Sequence, residues 1–211
     1  MTVWAGVDVG GRRKGFHIAL IDEAGLVSLG RAPSVAGAVA EVRGAHLVAV
    51  DASRSTARPG ETTRDCERLL ARAVCGIRWT PDEKTIRNGN PYYEWIEHGL
   101  ELYEALEEAD VPAIECFPTA SWTRWGGKRD GRSRARWSNE ILGTLALAGC
   151  PRRSDQDERD AIAAALTARA HTSGLTDQLG EIVVPREGAA TRGRRSAPGM
   201  RARGAAARGA P

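Results

Sequence analysis

Apolar residues come in short blocks separated by turn-forming residues, and the blocks at the two ends of the chain differ in kind from those in the middle. The first 21 residues, MTVWAGVDVGGRRKGFHIALI, read as two apolar strands joined by a glycine turn that carries Arg12, Arg13 and Lys14. Gly25 opens a third strand over Leu26 to Gly30, and the three predict an antiparallel meander. An Ala/Val-rich stretch from Ser34 to Arg43 predicts a short helix with Ser34 as its N-cap. The run HLVAVDAS then has the near-continuous apolar character of a strand covered on both faces, and it ends in Asp51.

Residues 54–110 show no comparable strand pattern and read as a helical insertion after the fourth strand. Thr62 or Thr63 caps a predicted helix through Ala73, with Gly76 as its stop. A second helix has clear borders: Asn90 as N-cap, Pro91 at the first helical position, and a stripe of Tyr92, Trp95, Ile96, Leu102, Tyr103 and Leu106. Its glutamates, Glu94, Glu97, Glu101, Glu104 and Glu108, form a solvated face. The chain returns to the sheet with VPAIECFP, a short strand that carries Glu115.

Next come Trp122, Arg124, Trp125, Lys128, Arg129, Arg132, Arg134, Arg136 and Trp137, around the break at Gly126-Gly127, leading into a helix toward Leu147. Interleaved aromatics and cations suit nucleic-acid bases and backbones, and they equally suit tryptophans in a core with arginines in solvent. SDQDERDAIAAALTARA predicts a helix from Ser154 to near His171 with small residues on one side, and Glu181 to Val184 is the last ordered element expected. Residues 188–211 are rich in Arg, Gly, Ala and Pro and too poor in large apolar groups to fold, so we expect disorder there and one domain over 1–187.

The whole-chain charge of +3 changes meaning once it is located. Six arginines and no acid lie in 188–211, which leaves the preceding body at −3. At 42% hydrophobic and 27% charged, the 211 residues have the balance of a soluble globular chain. No apolar run approaches the ~20 residues needed to span a bilayer, and no export signal is visible, so a cytoplasmic location without membrane association is expected. Cys66, Cys75, Cys116 and Cys150 show neither CxxC spacing nor histidines at zinc-site spacing and read as small buried apolar residues.

Three acids stand out by position: Asp8 inside the first strand, Asp51 at the end of the fourth, and Asp160 within the C-terminal helix. An unpaired buried carboxylate costs several kcal/mol, so each needs water, a cation or a ligand. A meander, a helix, a buried strand, a further strand and a terminal helix would bring the three to one edge of the central strands. Converging carboxylates call for cations between them, and two divalent ions about 4 Å apart are the usual solution where a phosphodiester is cleaved. Oxygen ligation points to Mg²⁺ or Mn²⁺. Simpler roles exist for each: Ser154 and Asp157 fit a capping box, Asp51 fits a turn start, and Asp8 fits a pair with Arg12 or Lys14. Asp160 lies too deep for capping and one turn from Asp157 on the same face.

The ordered set AGVDVGGRRKGFHIALID, VAVDAS, RDCERLL, NPYYEWIEHGLELYEAL, IECFPTASW, DERDAIAAALTA and GEIVVP resembles the family called domain of unknown function 429 over about residues 1 to 187. That resemblance implies a predicted nuclease with an RNase H-like α/β fold: a mixed five-stranded sheet, three antiparallel strands then parallel ones, flanked by helices. The DERDAIAAAL segment also resembles the C-terminal helix of RuvC-like Holliday-junction resolvases, whose DxxDA pattern supplies metal ligands. By that likeness Asp157 and Asp160 are ligands beside Asp8 and Asp51. Glu115 matches a glutamate of the family and is a fifth ligand, a supporting group, or the partner of an arginine such as Arg64 or Arg68.

The leading reading is thus a nuclease with two Mg²⁺ or Mn²⁺ ions on Asp8, Asp51, Asp157 and Asp160. Lys14, Arg64, Arg68, Arg124 and Lys128 are the candidate contacts to nucleic-acid substrate. One alternative is a non-catalytic binding or scaffold protein on the same fold, which the acidic body favours. Another follows from GVDVGG, which resembles the first phosphate loop of actin-like sugar kinases; no second glycine-rich half follows Asp51.

Overall fold

The computed structural model describes residues 1–188. The remaining part of the Arg/Gly/Ala/Pro segment, for which disorder is expected, lies outside the described residues. Strands β1 (Trp4–Val9), β2 (Phe16–Ile21) and β3 (Leu26–Ala32) form the predicted antiparallel meander. Helix α1 (Val35–Val42), capped by the Ser34 side chain, leads to β4 (Leu47–Asp51), which lies parallel to β1. The insertion contains α2 (Asp65–Ala73), the single turn α3 (Glu83–Ile86) and α4 (Glu94–Glu108), the last entered through a 3₁₀ turn over Pro91–Tyr93 that Asn90 caps. Strand β5 (Ala113–Cys116) adds parallel to β4 and is followed by α5 (Pro118–Gly126), α6 (Arg134–Leu145) and α7 (Gln156–Thr172). A final hairpin, β6 (Thr176–Leu179) and β7 (Ile182–Pro185), completes the sheet.

The strand order is β3-β2-β1-β4-β5-β7-β6, so the sheet has seven strands where five were expected. Its first five follow the RNase H-like order, antiparallel then parallel, and β7 continues the parallel set beside β5. The extra edge comes from TDQL, which lacks apolar alternation and is recruited by pairing with the buried IVVP of β7. Residues 118–126, which we expected only to precede a glycine break, form a helix opened by Pro118 at its first turn. Trp122 and Trp137 are fully buried, so the core reading holds for these two.

Two apolar layers sandwich the sheet. Ala5, Val7, Val9, Phe16, Ile18, Val48 and Val50 face α1 and α4, while Trp4, Ala19, Ile21, Leu47, Ala49 and Cys116 face α5, α6 and α7. Strand side chains alternate faces, so Gly6, Asp8 and Asp51 belong to the second layer. Gly6 has a specific use there: a Cβ on it would run into the Ala161 carbonyl and the Ala165 amide of α7. With alanines along that side of α7, the helix axis comes close to β1 and carries its acids over the strand. Among the described residues, no helix is long and apolar enough to cross a membrane.

Candidate active site

Four acids from three elements meet where α7 crosses the ends of β1 and β4. Asp8 and Asp51 are registered partners on these parallel strands and therefore point to the same face. Burial raises the Asp8 pKa well above the ordinary carboxylate range, reinforced by repulsion from Asp51, Asp160 and Asp157 and relieved in part by Lys14. Burial likewise pushes Asp51 up to about 8, with repulsion from Asp160 adding to it and Arg134 opposing it. The two carboxylates thus stand in a field that favours sharing a proton or a cation.

The α7 pair is held differently. Asp155, rather than Ser154, is the N-cap, and its capping box closes with Glu158. This one-residue shift relieves Asp157 of the capping role and turns it toward the sheet, where its Oδ2 accepts from Lys14 Nζ at 2.5 Å. Asp160 is buried and accepts from Trp122 Nε1 at 3.0 Å, Arg134 at 2.8 Å and Gln156 Nε2 at 3.0 Å. Burial raises its pKa, while Arg134, Trp122 and Gln156 hold it down. Lys14 is itself raised, chiefly by its bond to Asp157.

Of the expected substrate contacts, only Lys14 meets the acids. Glu115 is aligned with Val50, one residue before Asp51, and strand alternation sends it to the opposite face. There both its oxygens are taken by Arg64, at 2.5 and 2.8 Å, and Oε2 also by the Arg54 amide at 2.9 Å. Among the expected roles of Glu115, partner to an arginine is the one observed. Arg64 is buried, bonds Glu67, Glu115, Glu181 and Ser53, and so forms the centre of a polar network. Arg68 pairs with Glu61 at 2.8 Å and Arg124 faces Asp177 and Glu187, while Lys128 follows α5 on the exposed loop.

One site residue, His17, was missed in the sequence, and another was not singled out. Arg134 stood in the basic stretch with nothing to distinguish it from its neighbours; its bond to Asp160 depends on α6 lying against α7. His17 is the registered partner of Asp8 on β2 and shares its face. It is 3% exposed, its Nδ1 lies 3.8 Å from Asp8 Oδ2, and among the described residues that nitrogen has no hydrogen-bond partner. Counting residue pairs outward from the Gly10–Gly15 turn, which is closed by Gly10 N–H to Gly15 O at 2.9 Å, would have placed His17 opposite Asp8. One ligand atom from each of Asp8, His17 and Asp157 lies within 4.8 Å of the others.

The turn itself is occupied by protein. The Arg12 amide donates to Glu94 Oε2 at 3.0 Å, and His98 Nδ1 lies 2.8 Å from the Gly10 carbonyl oxygen. A phosphate loop of the kinase type needs such amides free, and here Glu94 takes one of them.

Among solved structures, the chain is similar to RuvC of Thermus thermophilus, at 19% identity and a TM-score of 0.44, covering 82% of this chain and 97% of that one. RuvC of the same organism in complex with a Holliday junction substrate gives 18% identity and a TM-score of 0.42 over the same shares. The sheet order, an antiparallel meander followed by parallel strands, is the RNase H-like one. The curated proteins contain no match. The sequence pattern of the family described as protein of unknown function (DUF429) matches residues 6–184, and the chain belongs to that family.

Proposed function

We propose that this protein is a divalent-cation-dependent nuclease that hydrolyses phosphodiester bonds at the cluster of Asp8, Asp51, Asp157 and Asp160. The observation that carries the reading is their convergence from β1, β4 and α7 on one sheet face, with Asp8 and Asp51 half-buried side by side against their mutual repulsion. A fold keeps such an arrangement at a cost in stability, and cation binding offsets that cost. The donor set fits the cation: carboxylate oxygens suit Mg²⁺ and Mn²⁺, and the buried His17 Nδ1 faces the cluster without a partner among the described residues. When bound, such ions stabilise the negative charge that develops on phosphate and promote ionisation of the attacking water.

The chain's own residues supply the remainder. Lys14 and Arg134 reach Asp157 and Asp160 from opposite elements, and both are partly exposed, so each is positioned to hold a phosphate oxygen. Trp122 and Gln156 fix the Asp160 carboxylate, so its oxygens have a defined direction before substrate arrives. In the reaction, the water oxygen bonds to phosphorus and gives up one proton to solvent, the bond from phosphorus to one bridging sugar oxygen breaks, and that oxygen takes up a proton. Lys128 on the exposed loop is a further candidate for backbone contact, whereas Arg64, Arg68 and Arg124 are engaged by carboxylates.

The test is incubation with single-stranded, duplex and branched DNA and RNA in Mg²⁺ or Mn²⁺. Wild type cleaves at least one substrate, and Asp8→Asn and Asp160→Asn abolish that cleavage. Equal cleavage by wild type and both variants overturns the reading. A wild type that binds the cation and cleaves none of the substrates favours a non-catalytic binding protein.

A further inference from the structure

The acid cluster is not built from oxygen donors alone. His17 is placed opposite Asp8 by the β1–β2 register, is almost fully buried, and directs Nδ1 at the Asp8 carboxylate from 3.8 Å. That distance is too long for a hydrogen bond, and Nδ1 has no other partner among the described residues. A buried, unpaired ring nitrogen carries a desolvation cost that some ligand should offset. Its neighbours decide which ligand. Asp8 and Asp157 present oxygens within 4.8 Å of it, and Lys14 is the cation already among them. An anion has no place beside two carboxylates, and a neutral donor has one only as a bridging water.

We propose that His17 Nδ1, together with Asp8 and Asp157, forms a mixed nitrogen and oxygen cation site that selects a first-row transition ion such as Mn²⁺ over Mg²⁺. This deepens the nuclease reading and rests on it for the presence of a divalent cation. Three donor atoms within 4.8 Å need only a small contraction, since ligands on opposite sides of an ion with ~2.1 Å bonds lie about 4.2 Å apart. Imidazole favours transition ions, whereas Mg²⁺ prefers oxygen and retains its waters. Ligation through Nδ1 requires the neutral ring with its proton on Nε2. The other described histidine near this turn, His98, is engaged at its own Nδ1 by the Gly10 carbonyl.

The experiment is metal titration of the full chain with Mn²⁺ and Mg²⁺, paired with pulsed electron paramagnetic resonance of the Mn²⁺ form. Wild type is expected to bind Mn²⁺ at least about tenfold tighter than Mg²⁺ and to show coupling of the bound ion to a ring nitrogen. His17→Gln should lose the nitrogen coupling and weaken Mn²⁺ at least about tenfold, with Mg²⁺ changed less than threefold. Because His17 is buried, the wild-type spectrum decides the matter even where the variant folds poorly. Mn²⁺ bound without nitrogen coupling overturns the role of His17 and leaves the carboxylate centre standing. Failure of wild type to bind either ion overturns the centre itself, and with it both readings.

Discussion

Asp8 and Asp51 are in-register neighbours on parallel strands, so the two carboxylates share one sheet face with no residue between them. Both pKa values are raised, Asp51 to about 8, with burial as the main cause in each. A carboxyl that binds its proton more tightly folded than unfolded contributes stability at low pH and loses it as pH rises. The window runs from the unfolded value near 4 to the folded value near 8. In a chelator, therefore, the Asp51 contribution falls between pH 5 and 8, by at most about 1.4 kcal/mol per pH unit. Thermal melts should show Asp51→Asn more stable than wild type at pH 8 and the difference shrinking toward pH 5. An offset that is constant across this range would contradict the raised value.

Lys14 contacts Asp157 where a divalent cation would compete with it. Lys14→Met should thus tighten Mn²⁺ binding by about threefold or more, because one positive charge is removed from the site. The same variant should slow cleavage, since a phosphate contact is lost. Opposite signs in calorimetric affinity and in cleavage rate are the expected pattern; weaker Mn²⁺ binding would argue that Lys14 organises the site.

Gly6 permits the close crossing of α7 over β1. Gly6→Val should overpack that contact by about 1–3 kcal/mol or more and push Asp157 and Asp160 away from Asp8. Chemical denaturation should reveal the stability loss, and Mn²⁺ affinity of the folded fraction should fall with it. Unchanged stability would mean that the helix can move without cost.

Arg64 bonds two buried glutamates, Glu67 and Glu115, on the sheet face opposite the acid cluster. Arg64→Met leaves those charges unpaired and should cost about 3–5 kcal/mol of stability. Substituting Arg64, Glu67 and Glu115 together by apolar residues should recover much of that loss. A stable Arg64→Met protein that merely binds nucleic acid less well would restore Arg64 to the substrate surface.

Much of this architecture is legible in one dimension, because strands and helices are local periodicities. The meander, the buried fourth strand, the insertion and the terminal helix all follow from apolar spacing and caps, and Asp8, Asp51 and Asp160 announce themselves as acids in apolar surroundings. Register and relative position are not local. Whether Glu115 joined the aspartates turned on a one-residue difference in strand phase, which sent it to Arg64 instead. The role of Asp157 turned on whether Ser154 or Asp155 capped α7. His17 entered the site only because the turn length set it across from Asp8, and Arg134 only because α6 packs on α7. The sequence by itself determined which charged groups had to be satisfied; the tertiary structure decided which of them satisfy one another, because pairing depends on distances that chain order does not encode.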